Sequence, residues 1–203
     1  PELNVAPTLK RDAISAYGES PLSPIQQWFF SNRHSQPSHW NMAFVVDMKS
    51  AVSVEDIRRA IFSLVEEFPV LGSRFDRGRD GYMQFIPQTS KDQSLVKSIA
   101  PPDNRSGWVE SLSAVQADFD LGSGIVIRFL VAANEEQECL AFGAVIHHLV
   151  TDALSNWYIA KRIVQLLDAN RDATNRGVST VSYREWSMLL QQEFPAGDNE
   201  QTS

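Results

Sequence analysis

Two adjacent histidines followed by an aspartate are the residues whose types and spacing best suit chemistry. His147 and His148 come at the end of an apolar run, and Asp152 lies four residues further on. An imidazole titrates near neutral pH, so it can accept or release a proton without an extreme environment. The pattern indicates general acid–base catalysis. Two structural histidines with satisfied hydrogen bonds at a strand end are an equally open interpretation.

The elements around these residues must hold them at the edge of a cleft. Leu140–Ile146 is rich in small and β-branched residues, which is typical of a buried strand. Successive strand side chains point to opposite faces, so we expect His147 and His148 to diverge, one serving catalysis and the other structure. Asp152 predicts the start of a helix near Ala153. No further Cys or His cluster accompanies these residues, so we predict no metal site.

Other local patterns complete the predicted scaffold. Ile125–Ala133 and Glu138–His147 are apolar runs joined by four polar residues, which predicts an antiparallel hairpin. Ser23, Pro24 and Gln26 have the spacing of a capping box with proline at the first helical position.

The middle of the chain predicts a strand, a helix and a second hairpin. His39–Met48 is rich in Phe and Val, as strands are. Ser53 predicts the cap of a helix with one apolar stripe, which Pro69 ends. Val70–Phe75 and Tyr82–Ile86, joined by a turn-rich segment, predict the hairpin.

Composition limits the classes of function. The chain has 203 residues, enough for one substantial domain or two small ones, and its 43% hydrophobic and 21% charged residues are typical of a soluble globular protein. Its net charge of −7 argues against nucleic-acid binding and against an anionic membrane surface. Cys139 is the only cysteine, so no internal disulfide forms. Without an apolar run of membrane-spanning length or a signal pattern, we expect a cytoplasmic protein.

His147–Asp152, with the sequence HHLVTD, resembles the HHxxxD core motif of the condensation superfamily of nonribosomal peptide synthetases. Pro24–Phe29 (PIQQWF), His39–Asn41 (HWN) and Tyr183–Trp186 (YREW) resemble the forms that epimerization domains carry. The resemblance runs from about Pro21 to Leu190, with the motifs in the family's order. It implies an α/β (α+β sandwich) fold, a chloramphenicol-acetyltransferase-like lobe with a mostly antiparallel central sheet and flanking helices.

The resemblance also implies an activity and its residues. An epimerization domain interconverts the L and D configurations at the Cα of an aminoacyl or peptidyl thioester. By match to the motif, His148 is the catalytic acid–base group, while His147 and Asp152 have structural roles. Ser155 and Asn156 are expected to contact substrate. No cofactor is expected to bind directly, because the substrate arrives on the 4'-phosphopantetheine of a peptidyl carrier protein.

The chain departs from the family pattern in three respects. Ala153 replaces a frequent glycine, and Leu154–Trp157 replaces a VSW-like run, which rotates Trp157 by about 100° around the helix. The family domain also has two lobes, and this chain matches only the first. The expected partners are therefore a C-terminal lobe that supplies an opposing glutamate, and the neighbouring synthetase domains.

The expected organisation is a leader or linker at 1–20, the N-terminal lobe at 21–194 and a flexible tail at 195–203. The lobe alone is expected to be inactive. Two alternatives stay open. One is a condensation domain that forms peptide bonds between carrier-bound substrates with the same His148, and the other is a noncatalytic carrier-binding lobe. Exchange of the Cα proton is required by epimerization and not by condensation.

Overall fold

A computed structural model describes residues 15–32, 34–79, 81–88, 93–169 and 181–193. The predicted tail and most of the predicted leader lie outside these ranges. The strands are β1 (Gly18–Ser20), β2 (Asn41–Ser53), β3 (Arg74–Arg77), β4 (Tyr82–Ile86), β5 (Val96–Ile99), β6 (Ile127–Ala133) and β7 (Glu138–His147). The helices are α1 (Pro24–Ser31), α2 (Val54–Glu67), α3 (Arg105–Gln116), α4 (Ala153–Ala169) and α5 (Tyr183–Glu193).

The larger sheet has the strand order β2-β7-β6-β5. β7 pairs antiparallel with β2 on one side and with β6 on the other, while β5 joins β6 in parallel. The predicted β6–β7 hairpin is confirmed. Nearly every residue of these two strands is buried, because helices cover both faces of the sheet. The predicted α/β class with a mostly antiparallel sheet is confirmed, with one parallel pair.

Alternation along β7 divides the core into two clusters. Phe142, Ala144 and Ile146 belong to the main cluster, which α2 and α4 complete. Val145, on the opposite face, packs with Leu112 of α3. Because successive side chains of a strand point to opposite faces, β7 packs against α2 and α4 on one face of the sheet and against α3 on the other.

The smaller sheet is antiparallel, with the order β1-β4-β3. The predicted hairpin is present as β3 and β4, although residues 70–72 form a 3-10 turn and not part of the strand. β1 lies inside the stretch that the sequence pattern assigns to a leader. Its pairing with β4 makes Gly18–Ser20 part of this sheet.

Helix α2 has the cap and the apolar face that its sequence predicts. The hydroxyl of Ser53 accepts a hydrogen bond from the Asp56 amide at 3.1 Å. Ile57, Ile61 and Leu64 are fully buried. None of the described helices is long and apolar enough to cross a membrane.

Helices α2 and α4 also meet through a charged pair. The Nε of Arg162 lies 2.9 Å from a carboxylate oxygen of Glu67, and both side chains are largely shielded from water. Removing either partner would leave the other charge buried and unpaired, which is strongly destabilising. The pair therefore fixes how the helix that follows the histidines lies against its neighbour.

We expect Gly143→Ala to destabilise the protein by about 1–3 kcal/mol, because extra volume in a packed core forces its neighbours to move. A Cβ on Gly143 would lie 3.0 Å from the ring of Trp108 and 3.3 Å from the carbonyl oxygen of Phe44. Urea denaturation measures the change.

Gly78→Ala is the matched control, since among the described residues its Cβ would meet only the Gly81 carbonyl oxygen, at 3.5 Å. We expect that variant to be unchanged or slightly more stable, because alanine restricts the unfolded chain. Equal stability of Gly143→Ala and the unmodified protein would contradict the close packing of α3 on β7.

Candidate active site

The end of β7 places the two histidines between different neighbours. The amide of His147 donates to the carbonyl of Val126 at 2.8 Å. The amide of His148 donates to the carbonyl of Trp40 at 2.9 Å, on the side of β2. The chain leaves the strand at this point and enters a turn. The two adjacent side chains therefore have different surroundings, as the sequence predicts.

His147 is fully buried, and both of its ring nitrogens have partners. Nε2 lies 2.8 Å from the carbonyl oxygen of Pro37, and Nδ1 lies 3.2 Å from the amide of Leu149. A carbonyl can only accept and an amide N–H can only donate, so the ring is neutral with its proton on Nε2. Burial lowers the pKa of His147 to about 4, and the Pro37 hydrogen bond opposes that shift.

His148 is oriented in a way that suits a base. Its Nδ1 lies 2.8 Å from the carbonyl oxygen of Thr151, which requires a proton on Nδ1 and leaves the lone pair on Nε2. The ring stacks on Trp40, with centroids 4.5 Å apart and planes at 28°. Trp40 in turn stacks on Phe29 at 4.8 Å. A hydrogen bond and an aromatic plane together hold the imidazole in one orientation.

Asp152 caps the helix that follows the histidines, as predicted. Its Oδ1 accepts from the amide of Ser155 at 2.7 Å. Hydrogen bonds from the Ser155 amide and hydroxyl hold the pKa of this carboxyl below its usual value. The carboxylate therefore orders the start of α4 next to His148.

The two predicted substrate-contacting residues have different surroundings. Ser155 lines the groove beside His148. Asn156 is buried, and its Oδ1 accepts from the hydroxyl of Thr151 at 2.7 Å. This geometry does not support substrate contact by Asn156. It supports a structural role, because Asn156 holds the residue whose carbonyl orients His148.

Trp157, the residue that departs from the family pattern, points away from the groove. Its side chain is 60% exposed, and Lys161 Nζ lies 5.0 Å from the ring centroid. Residues 154 and 158 of the same helix line the groove instead. The shift of one position therefore changes the outer face of α4, and Trp157 is not part of the groove wall.

The groove beside His148 has a volume of about 600 Å³. Its walls are mainly apolar, and several of these side chains are exposed. They include Ile25, Leu154, Tyr158 and Trp186, which are between 43% and 75% exposed. Ionisable groups on the described walls besides His148 include Asp152 and Tyr183. Burial raises the pKa of Tyr183, so its phenol keeps its proton at neutral pH.

The sequence patterns did not identify Gln26 as a residue of this site. Its side chain is fully buried, and its Nε2 donates to the carbonyl of Leu149 at 2.8 Å. The capping box predicts its other hydrogen bond, from the Ser23 amide to Oε1 at 2.9 Å. No local signal in the sequence indicates a contact with a residue 123 positions away.

The part of the chain that the structure describes contains no group of three or more His, Cys, Asp or Glu side chains that could hold a metal ion. Burial raises the pKa of the Cys139 thiol to about 11, so this cysteine is no nucleophile at neutral pH. Among the residues that line the groove, the geometry of His148 is suited to proton transfer at Nε2.

Comparison with known proteins gives the family of the chain. Residues 16–202 match the family model of the condensation domain. The chain is 30% identical over 184 residues to a linear gramicidin synthase polypeptide of Brevibacillus parabrevis. It is 30% identical over 186 residues to N-(5-amino-5-carboxypentanoyl)-L-cysteinyl-D-valine synthase of Penicillium rubens. These matches cover 85% and 90% of this chain, and 2% and 5% of those synthases.

Solved structures share the fold. The epimerization domain from the third module of tyrocidine synthetase B has a TM-score of 0.75 and 22% identity, covering 87% of this chain and 41% of that one. The condensation domain from monacolin K polyketide synthase has a TM-score of 0.68 and 16% identity, covering 86% and 39%. The chain thus spans less than half of either structure.

We expect the buried neutral His147 to make the protein less stable as the pH falls from 6.5 to 4. The pKa of this histidine is about 6.5 when unfolded and about 4 when folded, so the unfolded chain binds more protons between those values. The loss reaches at most about 3 kcal/mol. The pKa of Asp152 in the folded protein lies below its usual value of 3.8. This carboxyl therefore adds a further loss of stability only as the pH falls through that region.

Urea denaturation at several pH values measures this slope. His147→Gln keeps a donor and an acceptor but does not titrate, so the slope between pH 6.5 and 4 should become shallower. His39→Gln, which alters an exposed histidine, should keep it. An unchanged slope in His147→Gln would show that another group causes the acid sensitivity.

Proposed function

The chain belongs to the condensation-domain family of nonribosomal peptide synthetases, and on that premise we propose that it serves epimerization. The proposed reaction interconverts the L and D configurations at the Cα of a carrier-bound aminoacyl or peptidyl thioester. The observation that carries the proposal is the orientation of His148. Its Nδ1 is tied to the Thr151 carbonyl, so the basic Nε2 is the nitrogen left for a substrate.

The chemistry needs a base next to Cα. The thioester carbonyl acidifies the Cα–H bond, and Nε2 of His148 removes the proton or returns it to the planar intermediate. Inversion needs a second group on the opposite face, because a single group tends to return the proton to the side from which it came. We propose that a glutamate from a second lobe of the domain is that group.

The roles of the other predicted residues follow from their contacts. We assign His147 to the support of the turn, since it is neutral and bonded on both ring nitrogens. Asp152 orders the start of α4. Ser155 lines the groove and remains a candidate for substrate contact. For Asn156 we propose support of Thr151 in place of the substrate contact that the resemblance implies.

The groove suits a substrate delivered on a long arm. Its apolar walls lower the local polarity, which strengthens electrostatic interactions at the base. We propose that the 4'-phosphopantetheine of a peptidyl carrier protein brings the thioester to it. The neighbouring partners are then a second lobe and further synthetase domains, and this chain alone is inactive.

Two observations favour different branches of the family. The sequence forms PIQQWF, HWN and YREW resemble those of epimerization domains and support the proposal. The matching family model is the condensation domain, which supports amide-bond formation with the same His148 as the second candidate. A third candidate is a noncatalytic lobe that binds a carrier protein, for which the exposed apolar groove walls would serve.

The test is deuterium exchange at the Cα of a carrier-bound aminoacyl thioester, measured by mass spectrometry in the complete domain that contains this chain. We expect exchange in the unmodified domain and a loss of at least about 100-fold in His148→Gln, because general acid–base catalysis contributes that much or more. Folding should be nearly unchanged, since the ring of His148 is only partly buried.

Glu135→Gln is the control, since this exposed residue lies in the turn between β6 and β7, at the end of β7 opposite the histidines. Formation of an amide product without Cα exchange would assign the domain to condensation. Carrier binding without either reaction, unchanged in His148→Gln, would support the noncatalytic role.

A further inference from the structure

Gln26 connects two parts of the chain that lie far apart in sequence. It belongs to the first turn of α1, where its Oε1 accepts from the Ser23 amide. Its Nε2 donates to the carbonyl of Leu149 at 2.8 Å. The side chain has no exposed surface. Both ends of its amide are therefore used, one for the helix cap and one for the turn after β7.

Leu149 lies in the turn that carries His148. Its amide donates to Nδ1 of His147, and its carbonyl accepts from Gln26. The next amide, that of Val150, donates to the carbonyl of His147 at 3.0 Å and closes the turn. The peptide groups on both sides of Leu149 are thus fixed, and they determine the direction in which His148 leaves the backbone.

A second residue of the groove wall meets the same group. Burial raises the pKa of the Tyr183 phenol, and the nearby side chains of Ser23, Ser187 and Gln26 oppose that rise. Tyr183 lines the groove together with His148. The start of α1 therefore joins the histidine turn to helix α5, and Gln26 is the member that contacts the turn directly.

We propose that Gln26 is a positioning residue for His148 that acts through the carbonyl of Leu149. The role needs a side-chain amide, because the Leu149 carbonyl requires a donor and the backbone N–H of Ser23 requires an acceptor. An ionised carboxylate at this place could still cap the helix, but it could not donate to Leu149. The effect on catalytic rate rests on the proposed function, whereas the effect on the turn does not.

The experiment compares three variants in the complete domain. Gln26→Met keeps the length of the side chain and removes both hydrogen bonds, while Gln26→Glu keeps the acceptor for the cap. Gln27→Met is the matched control from the same helix, since Gln27 is exposed and its amide contacts only the Leu22 carbonyl at 3.0 Å among the described residues. Amide hydrogen exchange is measured for peptides covering 145–152 and, as an internal reference, 127–133.

We expect both Gln26 variants to exchange about tenfold faster in 145–152, as the loss of one buried hydrogen bond predicts, with 127–133 unchanged. In the Cα exchange assay, kcat should fall at least about tenfold, because catalysis is sensitive to small misplacements of its groups, while KM changes less than about twofold. Gln27→Met should alter none of these quantities.

Two results would overturn the proposal. One is unchanged exchange of 145–152 in both Gln26 variants. The other is equal acceleration in 145–152 and 127–133, which would mean that Gln26 supports only global stability. Faster exchange confined to the turn, in a domain whose unmodified form catalyses no Cα exchange, would reject the epimerase proposal and still support the positioning of the turn by Gln26.

Discussion

The site depends on one buried imidazole that has to be satisfied at both nitrogens. His147 lies without solvent at the end of a central strand, where an unpaired ring nitrogen would cost several times the net value of a hydrogen bond. Its two partners are the Pro37 carbonyl, ahead of β2, and the Leu149 amide, just beyond β7. Because both ring nitrogens need a partner, the segment before β2 and the turn after β7 lie next to each other.

The imidazole of His148, the proposed base, is positioned by this arrangement and by two direct contacts. Thr151 and Trp40 determine the tilt and plane of His148, and each of them is held by a residue further from the groove. Asn156 holds Thr151, while Phe29 stacks against Trp40. The two neighbouring histidines thus have different surroundings, since His147 is buried and bonded at both ring nitrogens while His148 lines the groove.

Local signals predict the elements of this fold well, and they fail where a contact spans the chain. The caps at Ser53 and Asp152 and both hairpins depend on nearby residues, so their spacing identifies them. The short strand β1 has too few residues for a pattern, and only its pairing with β4 reveals it. Whether Asn156 faces the groove depends on the rotation of α4 against its neighbours. The contact of Gln26 with the histidine turn depends on tertiary packing, which no local spacing encodes.

The burial of Cys139 makes the chain a convenient host for site-specific probes. The thiol belongs to the main buried cluster and has no exposed surface, and burial keeps it in the unreactive protonated form. Because it is the only cysteine, maleimide or nitroxide reagents have no accessible native target in the folded chain. Two cysteines introduced at exposed groove residues such as Leu154 and Ile25 could then carry a pair of spin labels or fluorophores without removal of the native cysteine. Distances across the groove would become measurable in the otherwise unaltered protein.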